Sequence, residues 1–280
     1  MRAYRVAYDG QPYHGFQRQP DVDTVEGRLR SALIRLGVCE RGEGLPDRYA
    51  AAGRTDAGVS ARAQTVAFDA PAWLSPAAFS GELPDDVRVW ASADVPDSFH
   101  TTHDATQRTY TYYLYAPPDA DGPGHGPVDD RRWADAVDAL AGTHDFHNLT
   151  TDETGTERTV AIDWTRDGQF LVVQLTAGGF CRQLVRRLVS LTAAVADGSA
   201  PLSKVDRILS PKPVSGPEGV PPAPPEPLVL TDVRYPNVSF TRDEDAAEDA
   251  RAVFAHRRAN ARTTARVADQ ITDGLSGGRR

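Results

Sequence analysis

An α+β fold is predicted by three features of the sequence. Short stretches rich in Val, Thr and Tyr alternate with stretches whose apolar residues recur at helical spacing. Over residues 2–91 these come in the order strand, helix, strand, strand, and the rhythm returns loosely over 107–235 without a sequence repeat. Hydrophobic residues make up 40% of 280, enough for the core of one large domain or two modest ones.

Residues 2–8 read as a first strand running into the turn Asp9-Gly10. Residues 11–20 are a polar loop with Tyr13, Phe16, Gln17 and Arg18, a composition that suits a plain surface loop and equally one that stacks on bases and bonds phosphates. Thr24 is placed to cap a helix whose apolar stripe is Val25, Leu29, Leu33 and Leu36 and which Gly37 ends. Residues 64–68 and 87–91 are strands, with a short proline-interrupted helix within 73–83. Two histidine pairs, His100/His103 and His144/His147, lack a third ligand and so do not read as metal sites.

Residues 107–115 form a strand that puts Arg108, Tyr110 and Tyr112 on one face and Thr109, Thr111 and Tyr113 on the other. The first face is either an aromatic core wall or a base-stacking platform. Residues 119–130 are a loop, and a helix through Trp133, Ala136, Val137 and Leu140 follows, closed by Gly142. Residues 158–164 and 169–176 form a hairpin turning at Asp167-Gly168. The most regular helix covers 180–195 and buries Leu184, Leu188, Leu191 and Val195. Arg182 and Arg186 lie a turn apart on its other side, as a solvated face or, for Arg186, as a carboxylate's partner in a cleft. Residues 211–227 hold eight prolines in seventeen positions and are extended. Residues 228–235 are the last strand. Residues 241–273 start acidic, end Arg-rich and suggest a C-terminal helix that frays over 274–278, with no function visible.

Composition narrows the function. There is no apolar run of transmembrane length and no signal-like N-terminus, and Cys39 and Cys181 make neither a disulfide framework nor a metal knuckle. A reducing cytoplasm is the expected compartment. Net charge is -8, with two lysines, 29 arginines, 29 aspartates and 10 glutamates. Such a chain is a poor generic phosphate binder, but arginine suits bidentate phosphate contacts and base stacking, so a local Arg-lined cleft can still take RNA. The acidic, lysine-poor balance reads as adaptation to high salt, as in a halophilic archaeon, where screening to about 3 Å removes the global repulsion.

The stretch around which the chain is organised is Ala51-Ala52-Gly53-Arg54-Thr55-Asp56-Ala57-Gly58-Val59, a carboxylate and a guanidinium on a loop between two glycines. Alone, it is either a turn with a self-bonded Asp or a site with an Asp nucleophile or base. Five segments in order decide between these: Tyr8-Asp9-Gly10 with 13–19; the Gly53–Val59 loop; Phe99-His100 followed by Ala105 and Arg108-Thr109-Tyr110; 180–189 with Arg186; and 228–235. Together they resemble the TruA family of tRNA pseudouridine synthases over about residues 4–235. The sequence departs from the family's usual pattern at Ser60, where His is usual, at Thr101-Thr102 in place of Ala-Arg, and at Pro227 in place of Gly.

The resemblance implies two ferredoxin-like α+β halves, residues 1–105 and 106–240, forming a continuous, mostly antiparallel sheet with a central RNA-binding cleft, and a charged helix or tail over 241–280. It implies a homodimer with tRNA lying across both subunits, isomerisation of uridine to pseudouridine at positions 38–40 of the anticodon arm, and no metal or cofactor. Asp56 is then the catalytic carboxylate, acting covalently or by removing a ribose proton. Arg54 fills the space of the flipped base and holds phosphates, Tyr110 stacks on the uracil, and Arg186 keeps Asp56 anionic. Gln17, Arg18, Arg108 and Leu228 complete the expected substrate contacts. The same residues suit a pseudouridine synthase for another RNA site; a non-catalytic tRNA-binding relative is a further alternative, against which the intact Asp56, Arg54 and Tyr110 argue. A nucleoside glycosidase would need a second carboxyl close by, and no other acid has a comparable motif.

Overall fold

The computed structural model describes residues 1–42, 44–118 and 127–276. In chain order the elements are β1 (Arg2–Tyr8), α1 (Val25–Arg35), β2 (Ala50–Ala51), β3 (Ser60–Phe68), α2 (Pro76–Ser80), β4 (Val87–Asp94), β5 (Gln107–Tyr115), α3 (Asp130–Leu140), β6 (Gly142–Asp145), β7 (Glu157–Asp167), β8 (Phe170–Ala177), α4 (Leu184–Ala196), α5 (Ser203–Leu209), β9 (Leu228–Arg234), β10 (Thr241–Arg242) and α6 (Glu244–Ser276). The strands make one 10-stranded sheet in the order β10-β4-β1-β3-β9-β5-β8-β7-β6, with β2 added against β3.

Every pairing is antiparallel except β3 with β9, where Ser60 faces Val229 and Ala61 faces Leu230. That short parallel contact joins the first group of strands to the second, and the loop preceding Ser60 lies at the seam. Two apolar clusters flank it. One gathers Tyr4, Val6, Leu29, Leu33, Phe68 and Phe79 beneath α1 and α2, and the other gathers Trp133, Leu140, Leu175, Leu188 and Leu191 around α3 and α4. Tyr110 packs against both. In the first cluster Tyr4 stacks on Phe68 at 5.3 Å and meets Phe79 edge-on at 5.6 Å, arrangements that suit the ring quadrupoles.

Local sequence explains the main helices. Thr24 accepts a hydrogen bond from the Gly27 amide and Asp129 accepts from those of Arg131 and Arg132, each satisfying amides that an uncapped helix leaves free. Helix α1 buries Val25, Leu29, Ala32 and Leu33, while Leu36 sits just past its end as the C-cap residue. The hairpin of β7 and β8 pairs Asp167 with Phe170, so its two-residue turn is Gly168-Gln169, one position later than the sequence suggested. Gly168 supplies the positive φ of +57°.

Helix α4 begins at Leu184 and not at residue 180. Gln183 takes a left-handed conformation at φ +59°, and side chains outside the helix engage the backbone there: Asp152 accepts from the Arg182 amide and Thr150 donates to the Arg182 carbonyl. These bonds compete with helix formation, and no sequence periodicity reports them. The C-terminal helix is present as α6, burying Ala246, Ala247 and Ala250 against β4 and α2. The short elements β2, β6, β10 and α5 carry too little pattern to read from the sequence. Most of the predicted loop over 119–130, and the end of the predicted fray, lie outside the described residues.

Burial holds several phenols neutral beyond their ordinary range. Tyr4, Tyr112 and Tyr235 are each pushed from 10.0 up to about 12, chiefly by loss of hydration, and Tyr8 is raised as well. In the unfolded chain these groups release their protons first. Their contribution to stability should therefore be constant up to about pH 10 and be lost between pH 10 and about 12, because the unfolded state ionises first. Urea midpoints measured through that window, alongside tyrosinate absorbance, will show the decline. A flat midpoint to pH 12 would contradict the packing of these rings.

Candidate active site

Residues 53–59 are held on all sides. From below, Gln64 of β3 donates to the Gly53 carbonyl at 2.9 Å and the Ala52 amide donates to the Thr65 carbonyl at 2.8 Å. Thr55 is buried, with its hydroxyl 2.8 Å from that of Tyr8 and its carbonyl accepting from the Phe16 amide. The turn closes when the Val59 amide donates to the Asp56 carbonyl, with Gly58 at φ +81°. A Cβ on Gly58 would come within 2.9 Å of Pro225 Cγ, so this glycine answers both backbone conformation and close approach. The loop over 10–19 grips the other side, where a Cβ on Gly10 would meet the Val59 carbonyl.

The loop delivers Asp56 to a cavity of about 920 Å³ whose lining includes Arg54, Tyr110, Phe180, Arg186 and Leu228. Arg186, from the first turn of α4, donates from Nη1 to Asp56 Oδ2 at 3.0 Å, across 130 residues of sequence. Its side chain is 11% exposed and that of Asp56 is 30% exposed, so the pair is shielded without being sealed. Arg186 is itself fixed from behind by Nε donating to the Ala223 carbonyl at 2.6 Å. Among the described residues Asp56 Oδ1 has no hydrogen-bond partner, which leaves one carboxylate oxygen available to a bound molecule.

Tyr110 is half-buried next to the pair, with Phe180 edge-on at 5.3 Å and 86°. Burial, with the charge of Asp56 adding to it and Arg108 opposing, pushes its phenol up to about 12, so the ring is a neutral surface at any working pH. Arg54 is exposed at the cavity and makes no ion pair among the described residues. Arg182 stands on the facing lip, with its Nε 4.0 Å from Asp152 and its side chain 67% exposed.

The expected site residues therefore divide. Asp56, Arg54, Tyr110, Arg186, Gln17 and Leu228 all line one cavity. Arg18 and Arg108 do not. Arg18 is exposed on the rim loop, with its amide donating to Glu26. Arg108 turns beneath the cavity and donates to the carbonyls of Ala52, Thr102, Ala105 and Gly178, so its guanidinium supports the loop from below.

Three further contributors escaped the sequence reading: Phe180, the Ala223 carbonyl and Pro225. Phe180 lay in the matching segment 180–189 with no role given to it; for Ala223 and Pro225 the proline density of 211–227 was the one visible signal, and it indicates an extended segment without saying what that segment touches. Of the departures from the family pattern, Ser60 accepts from the Gly10 amide, and Thr102 donates to the Ala51 carbonyl at the cavity edge. Among the described residues no group of three or more His, Cys, Asp or Glu is placed to hold a metal.

Comparison with known proteins places the chain in a family. A family model described as tRNA pseudouridine synthase matches residues 136–236. The chain is 92% identical over 275 residues to tRNA pseudouridine synthase A of Haloarcula marismortui, covering 98% of this chain and 100% of that one. It is 57% identical over 270 residues to the protein of the same name from Halobacterium salinarum, covering 96% and 98%. It is 36% identical over 253 residues to that of Methanocella arvoryzae, covering 89% of each. Among solved structures, a Cbf5-Nop10-Gar1 complex overlaps it with a TM-score of 0.31 at 12% identity, over 69% of this chain and 54% of that one. With near-complete coverage of such relatives, the chain belongs to the tRNA pseudouridine synthase A family of isomerases, with kin in halophilic archaea.

Proposed function

We propose that the chain converts uridine to pseudouridine at positions 38, 39 and/or 40 of the tRNA anticodon arm, with Asp56 as the catalytic carboxylate. The observation that carries this reading is the 3.0 Å contact of Arg186 with Asp56 inside a cavity walled by Tyr110. The reaction breaks the bond from ribose C1′ to uracil N1 and makes one from C1′ to C5. The C5 proton leaves and N1 gains one, so no external group is consumed. Asp56 acts through its unpaired oxygen, either by covalent attack or by removing a ribose proton.

The target base has to leave its stack, at a cost of a few kcal/mol. Arg54, exposed at the cavity and without an ion pair among the described residues, fills the vacated place and meets phosphate. Tyr110 stacks on the turned base and keeps water from it. Arg186, 3.0 Å from Asp56 Oδ2, supplies the positive charge that faces the carboxylate and fixes its orientation. The reading includes a cytoplasmic homodimer carrying tRNA across both subunits, with residues 1–105 and 106–240 as the two ferredoxin-like halves of each. These last points rest on the family resemblance.

Replacing Asp56 by Ala should lower tritium release from 5-tritiated uridine tRNA by at least about 10³-fold, roughly 4 kcal/mol of transition-state stabilisation, while tRNA affinity stays within a few-fold. Residual turnover near the parent rate would remove Asp56 from this role. Mapping pseudouridines in the product tRNA tests the positions, and modification elsewhere would reassign the substrate.

Gly58→Ala should lower turnover by about ten-fold, because the added methyl meets Pro225 and the backbone is left-handed. Adding Pro225→Ala should recover part of the loss by clearing the contact. If the double variant is no better than the single one, the prolines do not set the loop.

A further inference from the structure

We propose that the outer part of α6, from Arg258 onward, is an arm that binds the phosphate backbone of the RNA substrate outside the cleft, an inference resting on the tRNA reading above. The first observation is compositional. Between Asp249 and Asp269 the chain has five arginines and no acid, in a protein whose Asp and Glu number 39 against 31 Lys and Arg. A face kept only for solvation in this chain would be expected to carry acids, as the start of the same helix does with Glu244, Asp245, Glu248 and Asp249.

The second observation is how those arginines are used. Arg251 pairs with Glu248, and Arg257 reaches both Asp9 and Asp86. Arg258 and Arg262 form no ion pair among the described residues, and Arg266 stands 4.0 Å from Asp269 with its side chain 87% exposed. Arg258, Arg262 and Arg266 are spaced four apart, which sets them on one flank at a rise of about 6 Å per step. Residues 258–275 are exposed throughout, so no core packing explains why this stretch is helical. Its recurrent alanines keep the backbone helical and leave the arginines as the longest polar side chains on that flank.

The third observation is direction. Helix α6 starts beside β4 where Asp243 bonds the Trp90 carbonyl, passes Arg88 through Asp249, and reaches Asp86 and Asp9 through Arg257. Asp9 follows Tyr8, which pairs with Ala61 and Val87. The helix therefore leaves the body at the end of the sheet where the Asp56 loop enters β3. It continues for about 19 residues, roughly 28 Å, beyond that edge. A partner too long for the cleft meets this arm, and guanidinium forks are chemically matched to its phosphates. Such direct contacts still act when salt shortens the screening length to about 3 Å.

The test uses the full chain with Arg258→Gln, Arg262→Gln and Arg266→Gln together, on whole tRNA and on the isolated anticodon stem-loop. KM for whole tRNA should rise about ten-fold with kcat unchanged, and the slope of log affinity against log salt should fall by about 2 to 3. The stem-loop, too short to reach the arm, should show no change. The corresponding Lys variants should recover part of the affinity. The proposal is overturned by an unchanged KM and salt slope on whole tRNA, by equal losses on both RNAs, or by a shift in sedimentation that makes the helix a self-association element. Repeating the tRNA affinities in the Asp56→Ala chain separates the arm from the chemistry, because binding there is read without turnover.

Discussion

The site depends on one ion pair made across the seam of the sheet. Asp56 comes from a loop at the start of β3, and Arg186 from a helix built on the other apolar cluster. Neither can reach the other unless the parallel contact between β3 and β9 has set the two groups of strands side by side. A carboxylate drawn away from water is costly unless a cation or several donors face it. Arg186 meets that requirement while leaving the second oxygen free. Held to the Ala223 carbonyl at the same time, its guanidinium is fixed from two sides.

The segment over 220–227 is thus part of the machinery, though it contributes no reactive group. It anchors Arg186 through a carbonyl, accepts the Tyr112 hydroxyl at Pro224, receives Arg187 at Val220, and sets Pro225 against Gly58. Proline lowers the conformational freedom of the chain before folding, so such a brace is ordered at small entropic cost. Loop, helix and brace form a closed set of contacts around the cavity.

Much of this was legible in the sequence, for reasons that differ by element. The cap at Thr24, the stripe Val25, Leu29 and Leu33, and the alternation along β5 are local patterns with local causes. The Gly53–Val59 loop was recognisable as a motif, and of its glycines Gly58 carries the constraint, since it is left-handed and Pro225 approaches it closely. The misplaced start of α4 has the opposite character: Thr150 donates to the Arg182 carbonyl and Asp152 accepts from the Arg182 amide, from about thirty residues away, and periodicity cannot register them. Arg108 shows the same limit. Its position beside Tyr110 suggested a substrate contact, yet four carbonyls from three separate segments claim its guanidinium. The brace over 220–227 was visible as extended chain, but its partners become apparent only in three dimensions.

The pairing of β9 has a temporal consequence. Val229 and Leu230 close on Ser60 and Ala61 from nearly the far end of the chain. Contacts so distant in sequence are slow to form, because a long loop has to close before anything rewards it. During synthesis the Asp56 loop emerges early and waits for its cationic neighbour until Arg186 has been made, 130 residues later, and for its proline support until Pro225 follows. A polypeptide cut short before β9 would hold the signature loop intact and still lack a working pocket.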